Sequence, residues 1–542
     1  MGSPSTYRPA RDTRRNRQRR LWLLAGALAA VAFAGAAAVI WWSGAGLAQD
    51  RVALARVKLQ PLGGSLVSAK AFRSDGSPIP LSVQNGRLVP TTLVSPGEGV
   101  TIVVVVRRPA WLRWALGQTR SVRLSLRAPT SRLTQQWPTV ASGAALRLRF
   151  DTPVDRVSYR QGPAGKTIAA GSRRVVSLGR QAPSGTLEVA AAARSWERLG
   201  APTRVTWFPS SQLPVVLADP PLGDAISPRA PIRLTFSQPV RDVLGDDRPR
   251  FTSHVAGSWS STDSHTLLFS PAGFGYPLAS TLHLQLPRSL SVGSAASMRS
   301  SQTIDWTIAG ASFLRLQQLL AEEGYLPLSW QPAAGTPVAR QPLSEINAVV
   351  TPPPGRFHWR YPNTPPELQR LWSTGSPNQI TRGAVMMFEH DHGLTVDGLA
   401  GAQVWRALVT DAINGKKKTD GYSYVYVHRS VPQLLTLWHN GRTVLTSPGN
   451  TGVPAAPTQL GSFPVFEHIS VGTMSGTNPD GSHYRDPGIR WISYFNGGDA
   501  LHSFTRASFG TPQSLGCVEL PLATAARVWP YTPIGTLVTI EN

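Results

Sequence analysis

Twenty-two residues without a charge, Leu21 to Trp42, decide the setting of the rest of the chain. As a helix they extend roughly 33 Å, enough to cross a bilayer core. Seven Arg and one Asp precede them in residues 1–20, a net charge of +6. Such an Arg cluster keeps its flank in the cytoplasm, and Trp41 and Trp42 suit the opposite membrane interface. The apolar core of a secretory signal is shorter, about 7–15 residues. The stretch therefore reads as a transmembrane signal anchor at residues 21–42, with residues 1–20 a cytoplasmic basic tail and the rest of the chain outside. The alternative is a long signal peptide cut after Ala48, since Gly46 and Ala48 are small.

The whole chain carries a formal +24. Residues 421–542 hold six Arg and six acidic residues and sum to zero. Setting aside that segment and the tail leaves +18 on residues 21–420. A basic stretch outside the membrane favours anionic polymers or lipid head groups. Only six of the 54 basic residues are Lys, however, and a bias toward Arg, Ala and Pro also follows from base composition. Nucleic acid is not an expected partner, because the basic part is extracytoplasmic and carries no aromatic–basic motif.

The remaining 500 or so residues exceed one hydrophobic core. Short strands dominate the first three segments. Gly99 to Val106 is a β-branched run and Ser121 to Leu126 alternates, placing a β-rich module at 51–130. Ala145 to Phe150 alternates in a second β-rich module, 131–210. Ala230 to Val240 and Thr281 to Pro287 are the clearest strands of a third, 211–308. The sequence Ile232-Arg233-Leu234-Thr235-Phe236-Ser237-Gln238-Pro239-Val240 resembles the opening of a bacterial Ig-like domain. β-sandwich modules of this kind imply a spacer.

Phe313 begins a helical pattern that stops at Gly324. Further on, Gly383 to Leu394 leads into Asp397-Gly398, Gly401, Val404-Trp405 and Leu408. These two halves resemble the small three-helix peptidoglycan-binding domain, giving a domain at 313–409 with a Pro-rich insertion or loop at 351–366. Glu389-His390-Asp391-His392 invites a metal reading, but the two histidines diverge on a helix, and a solvated surface is expected instead. Asn414 to Gly421 reads as a flexible linker with a solvated Lys run.

Cys517 is the only cysteine, so it has no internal disulfide partner. A thiol left over outside the membrane is either a small buried hydrophobe or a reactive group. Reactivity needs a base or cation nearby and N–H donors for an oxyanion. His502 lies fifteen residues upstream across a loop with Gly510 and Pro512, and Gly516 allows close backbone approach. The strand alternation puts Glu519 on the face of Cys517, where its charge would raise the thiol pKa.

The stretch Ser514-Leu515-Gly516-Cys517-Val518, preceded by His502, resembles the signature of the L,D-transpeptidase (YkuD-type) catalytic domain. Tyr426, the Asn440-Gly441 turn, Asn450-Thr451-Gly452 and Pro457 to Phe463 fit the same family, so a mainly-β catalytic domain is expected at 422–542. Leu515 stands where the family often has His, and Glu519 where it often has Arg. The resemblance implies a membrane-anchored enzyme of the cell-wall side that attacks peptidoglycan tetrapeptide stems. Cys517 would be the nucleophile and His502 its base. Gly516 and the Cys517 N–H would serve the oxyanion, and Ser514 and Ser503 would orient the imidazole or the loop. No cofactor or metal is implied. Stem peptides are the expected donor and acceptor, the membrane is met through the N-terminal helix, and anionic wall polymers are a further partner class. With water as acceptor the same chemistry is an L,D-carboxypeptidase. A wall-binding or structural protein without catalysis is the reading from another class.

Overall fold

The structure is a computed structural model that describes residues 13–293, 298–299, 303–336 and 341–542. The expected basic tail falls largely outside them. The chain forms two compact units, one from residues 1–217 with 291–299 and one from 218–290 with 300–542.

In the first unit a helix runs from Thr13 to Trp42. Its stretch Arg19–Trp42 is long and apolar enough to cross a membrane, and none of its most apolar window is buried in the protein. An apolar surface on every side of a helix suits lipid rather than a protein core. Strands begin directly after it, at Ala45–Gln49, six residues before the expected boundary at 51. The next sheet runs Pro78–Ile79, Ser65–Arg73, Gly99–Arg107, Thr119–Arg127. Val100, Ile102, Val104 and Val106 alternate inward and are buried to 1 % exposure or less. Period-two burial of this kind makes one face of the strand a core and leaves the other to solvent. A five-stranded sheet comes next, with the antiparallel pair Ala164–Arg180 and Ala145–Gln161 at one edge. Trp196, from the expected second module, enters the core of the first and donates its indole N–H to the Val52 carbonyl at 2.8 Å. The segment after residue 130 otherwise keeps a core of its own, built from Leu146, Leu148, Phe150, Val205 and Trp207.

In the second unit, Ile232–Phe236, Thr266–Pro271 and Gly257–Asp263 pair antiparallel. The helices Phe313–Glu322, Pro342–Val350, Pro366–Gln369, Gln379–Asp391 and Ala402–Asn414 come after them. The Pro-rich stretch is not only a loop. It contains the strand Gly355–Trp359, paired with Leu328–Pro332, because Phe357 alternates inward and meets Trp372 edge-on at 5.1 Å. The helices do not stand apart from the C-terminal domain. Their core includes its residues Tyr422, Tyr424, Trp438 and Leu537. Gly383 and Gly535 meet backbone to backbone, a contact that a Cβ on either would block.

The Lys run is not a free linker. Lys418 donates to Asp391 at 2.9 Å and Asp420 at 3.0 Å, and its backbone N–H bonds the Glu323 carbonyl. The Glu389–His392 run, expected as a solvated surface, is likewise structural. Glu389 is buried and accepts the N–H groups of Asp397 and Gly398, and His392 bonds Asp411 at 2.8 Å. Among the described residues no group of three or more His, Cys, Asp or Glu suits a metal ion.

The C-terminal domain has two sheets. One runs Arg442–Pro448, Leu434–His439, Ser423–His428, Leu537–Glu541, Gly461–Pro464. The other runs Glu467–Thr477, His483–Asn496, Asp499–Ser503, Val518–Leu520, with the last two strands parallel. The Asn440-Gly441 turn has positive φ at both residues, 48° and 85°, as a two-residue hairpin requires.

Candidate active site

The parallel pair Asp499–Ser503 and Val518–Leu520 sets the site. Leu501 lies opposite Val518 and His502 opposite Glu519. Leu501, Val518 and Leu520 face the domain core. Alternation then puts Ala500, His502, Cys517 and Glu519 together on the opposite face. Ala500, Phe504 and Cys517 accordingly pack with Ile489 and Ile492 in a second, smaller cluster.

Cys517 is half-buried. Its Sγ approaches the Gly498 carbonyl at 3.6 Å. Burial pushes the thiol pKa up to about 12, with the carboxylates of Asp499 and Glu519 adding to the rise and the Ala500 N–H opposing it. His502 is 3 % exposed. Burial holds its pKa below the usual histidine value. Its Nδ1 bonds the Ser503 carbonyl at 2.9 Å. A carbonyl only accepts, so Nδ1 carries the proton and Nε2 keeps the free lone pair. Among the described residues no hydrogen bond joins the imidazole to the thiol. The resting site thus holds a neutral thiol and a neutral imidazole.

The two serines divide between the imidazole and the loop. Ser503 meets the imidazole through its carbonyl and not its hydroxyl. Ser514 does not reach the imidazole. Its hydroxyl donates to the Cys517 carbonyl at 2.5 Å and accepts the Gly516 N–H at 3.3 Å, tightening the turn that presents the cysteine. Gly516 has φ +121°, and a Cβ there would overlap the Asp499 carboxylate. The Cys517 N–H has no protein acceptor among the described residues.

Three residues escaped the sequence reading. Arg506 makes a two-pronged contact with Glu519, Nε to Oε2 at 2.8 Å and Nη2 to Oε1 at 2.7 Å, and its Nη2 also reaches the Gln513 carbonyl at 3.1 Å. Its guanidinium lies over the Phe504 ring at 4.6 Å. Glu519, the expected anion beside the thiol, is therefore a paired one. Asn450 is fully buried and its side chain accepts the Gly510 N–H at 2.9 Å, while its backbone exchanges two bonds with Glu519. Asp499 is the third. An acidic residue after Asn496-Gly497 was a local signal for it, but nothing in sequence order brings Arg506 or Asn450 to Glu519. Of the other histidines, His468 stacks on Trp529 at 4.1 Å and His483 is exposed.

Residues 422–540 match the YkuD family model, described as the L,D-transpeptidase catalytic domain. The C-terminal domain is thus similar to the catalytic domain of L,D-transpeptidases. Several solved structures are similar to parts of the chain, and three of them illustrate the likeness. The catalytic domain of an E. faecium L,D-transpeptidase is 23% identical, over 22% of this chain and 95% of that one, with a TM-score of 0.20. L,D-transpeptidase 3 of Mycobacterium tuberculosis is 13% identical, over 60% of this chain and 97% of that one, with a TM-score of 0.21. An L,D-transpeptidase of Stackebrandtia nassauensis is 20% identical, over 32% and 82%, with a TM-score of 0.19. No curated protein matches the chain.

Proposed function

We propose that the chain is a membrane-anchored peptidoglycan L,D-transpeptidase working through an acyl-enzyme on Cys517. The observation that carries this is the shared face of Cys517 and His502, with the Nδ1 proton committed to the Ser503 carbonyl and Nε2 left as the basic nitrogen. Because the thiol is raised to about 12 and His502 is lowered, the reaction starts from neutral partners. Nε2 takes the thiol proton as sulfur attacks the carbonyl carbon between the diamino acid and the terminal D-Ala of a tetrapeptide stem. The oxyanion forms beside the Cys517 and Gly516 N–H groups. The C–N bond then breaks, and D-Ala leaves with the proton from the imidazolium. The side-chain amine of a second stem attacks the thioester and passes its proton to Nε2. The new amide is the cross-link, and the thiol regains its proton.

The remaining segments fit around that activity. Residues 313–409 are proposed to hold peptidoglycan, with a cleft of about 710 Å³ lined by Phe313, Gln379, Arg382, Leu399 and Trp405 as the contact surface. Residues 21–42 anchor the protein, and the β modules space the enzyme from the bilayer. Purified protein incubated with tetrapeptide muropeptides tests the assignment by mass spectrometry. A cross-linked dimer with loss of D-Ala supports it. Tripeptide alone means a carboxypeptidase, and unchanged tetrapeptide means a binding protein.

A further inference from the structure

The connection between the strands Gly99–Arg107 and Thr119–Arg127 carries two large aromatic side chains that the fold leaves outside. Trp111 is 58% exposed and Trp114 is 88% exposed. The loop beneath them is held firmly. Leu112 is buried, Arg113 Nε donates to the Arg108 carbonyl at 2.9 Å, and the Arg108 guanidinium donates to the carbonyls of Leu116, Gly117 and Thr119. Two tryptophans on a braced loop, turned away from the core, form a surface that needs a partner.

The loop's place in the fold says which partner. The C-terminal end of the helix Thr13–Trp42 is gripped by the same module. Arg120 Nη1 donates to the carbonyls of Ile40 and Trp41, and the Leu62 N–H bonds the Trp42 carbonyl at 3.0 Å. Gly63 then packs on the Gly44 carbonyl and Gly64 on the Arg107 carbonyl. Arg107 pairs with Ser65 on one side and Thr119 on the other. One short run of contacts thus leads from the helix end to the base of the Trp111–Trp114 loop. Charge points the same way. Residues 107–127 hold six Arg and no Asp or Glu.

We propose that residues 108–118 form a second membrane contact, in which Trp111 and Trp114 enter the interfacial layer of the bilayer and Arg107 and Arg113 meet anionic phospholipid head groups. Tryptophan is favoured at that depth, and each nearby Arg adds attraction to an anionic surface. The inference rests on the reading of Arg19–Trp42 as a membrane span. It gives the first β module a fixed face toward the lipid instead of a swivel on one helix.

The test uses the full chain with Cys517→Ala, which removes the only thiol, in nanodiscs containing phosphatidylglycerol. A nitroxide is placed singly through Leu28→Cys, Ala115→Cys or Lys166→Cys, and its access to oxygen and to a water-soluble nickel chelate is measured. Position 28 should be deep. Position 115 should show nickel access several-fold below that of position 166, and Trp111→Ser with Trp114→Ser should restore it. Access at 115 equal to that at 166, with 28 still deep, overturns the second contact alone. An aqueous position 28 overturns the span reading and this inference with it. Protection at 115 that is the same in pure phosphatidylcholine discs removes the anionic head groups from it, and protection that needs added wall polymer replaces lipid as the partner.

Discussion

Arg506→Met should loosen the loop that presents Cys517, and Glu519→Met in the same chain should restore it. Glu519 is 4 % exposed and its two oxygens are both taken by Arg506. Removing one partner of such a pair strands a buried charge, at a cost of about 3–5 kcal/mol, whereas replacing both by apolar groups is close to neutral. At about 1.4 kcal/mol per tenfold, the single variant should open residues 504–517 roughly 10²–10⁴ times more often. Hydrogen exchange read on peptides from that loop measures this locally, which matters in a multidomain chain where one unfolding free energy is not defined. The thiol supplies a second readout, since Cys517 is the only one to alkylate. Glu519 is among the groups that raise its pKa. Arg506→Met leaves that carboxylate uncompensated, so alkylation should move to higher pH, and Glu519→Gln should move it lower. Equal exchange in the single and double variants, or alkylation curves that superimpose, would refute the argument that the pair acts as a charge-balanced clamp.

Cys517→Ala should abolish turnover of tetrapeptide stems while circular dichroism and sacculus binding stay as in the parent. His502→Ala should slow acylation by about 10²–10⁴-fold, the usual worth of a placed base, without weakening sacculus binding. Because burial holds His502 below its ordinary pKa, the acid limb of acylation should fall below pH 6.5, and a limb centred above 7 would count against Nε2 as the base. Glu323 is buried, neither carboxylate oxygen has a hydrogen-bond partner among the described residues, and burial raises its pKa to about 10. The native state then keeps a proton that the unfolded chain loses above about 4.5, so stability falls as pH rises past that value. Glu323→Gln should therefore leave acid stability unchanged and raise thermal stability at pH 7.5, by at most about 4 kcal/mol for three pH units at 1.36 each.

What could be read from the sequence, and what could not, divides along the range of the interactions. The apolar run at Leu21–Trp42, the alternating Gly99–Arg107 strand and the Asn440-Gly441 turn are local patterns, and each is visible in a few consecutive residues. The shared face of Cys517 and Glu519 came from alternation alone. The ion pair that neutralises Glu519 did not, because Arg506 reaches it across a thirteen-residue loop. The Lys run looked solvated for the same reason: Lys418 is paired with Asp391, twenty-seven residues earlier, and sits over the Tyr325 ring. Trp196 looked like part of its own module and instead fills the core of the preceding one. Ser503 and Ser514 were expected to orient the imidazole or the loop, and sequence order did not say that Ser503 would do so through its backbone carbonyl and Ser514 through the cysteine turn.

The proposed chemistry depends on keeping the resting site uncharged. A thiol raised to about 12 stays protonated at pH 7. A preformed thiolate–imidazolium pair would need the imidazole to be the stronger base of the two, and burial lowers it instead. Charge must then arise during attack, when the imidazolium and the oxyanion appear together. Burial opposes each of these alone, but together they are opposite charges a short distance apart, and the low dielectric strengthens their attraction. The Cys517 N–H, without a protein acceptor among the described residues, and the long Gly516 to Ser514 bond of 3.3 Å leave donors for that moment, since a strong acceptor displaces a weak one. The Arg506–Glu519 pair serves the same end. An unpaired Glu519 would stabilise imidazolium before any substrate had bound and would oppose the sulfur's charge throughout, so neutralising it is a condition of the general-base route.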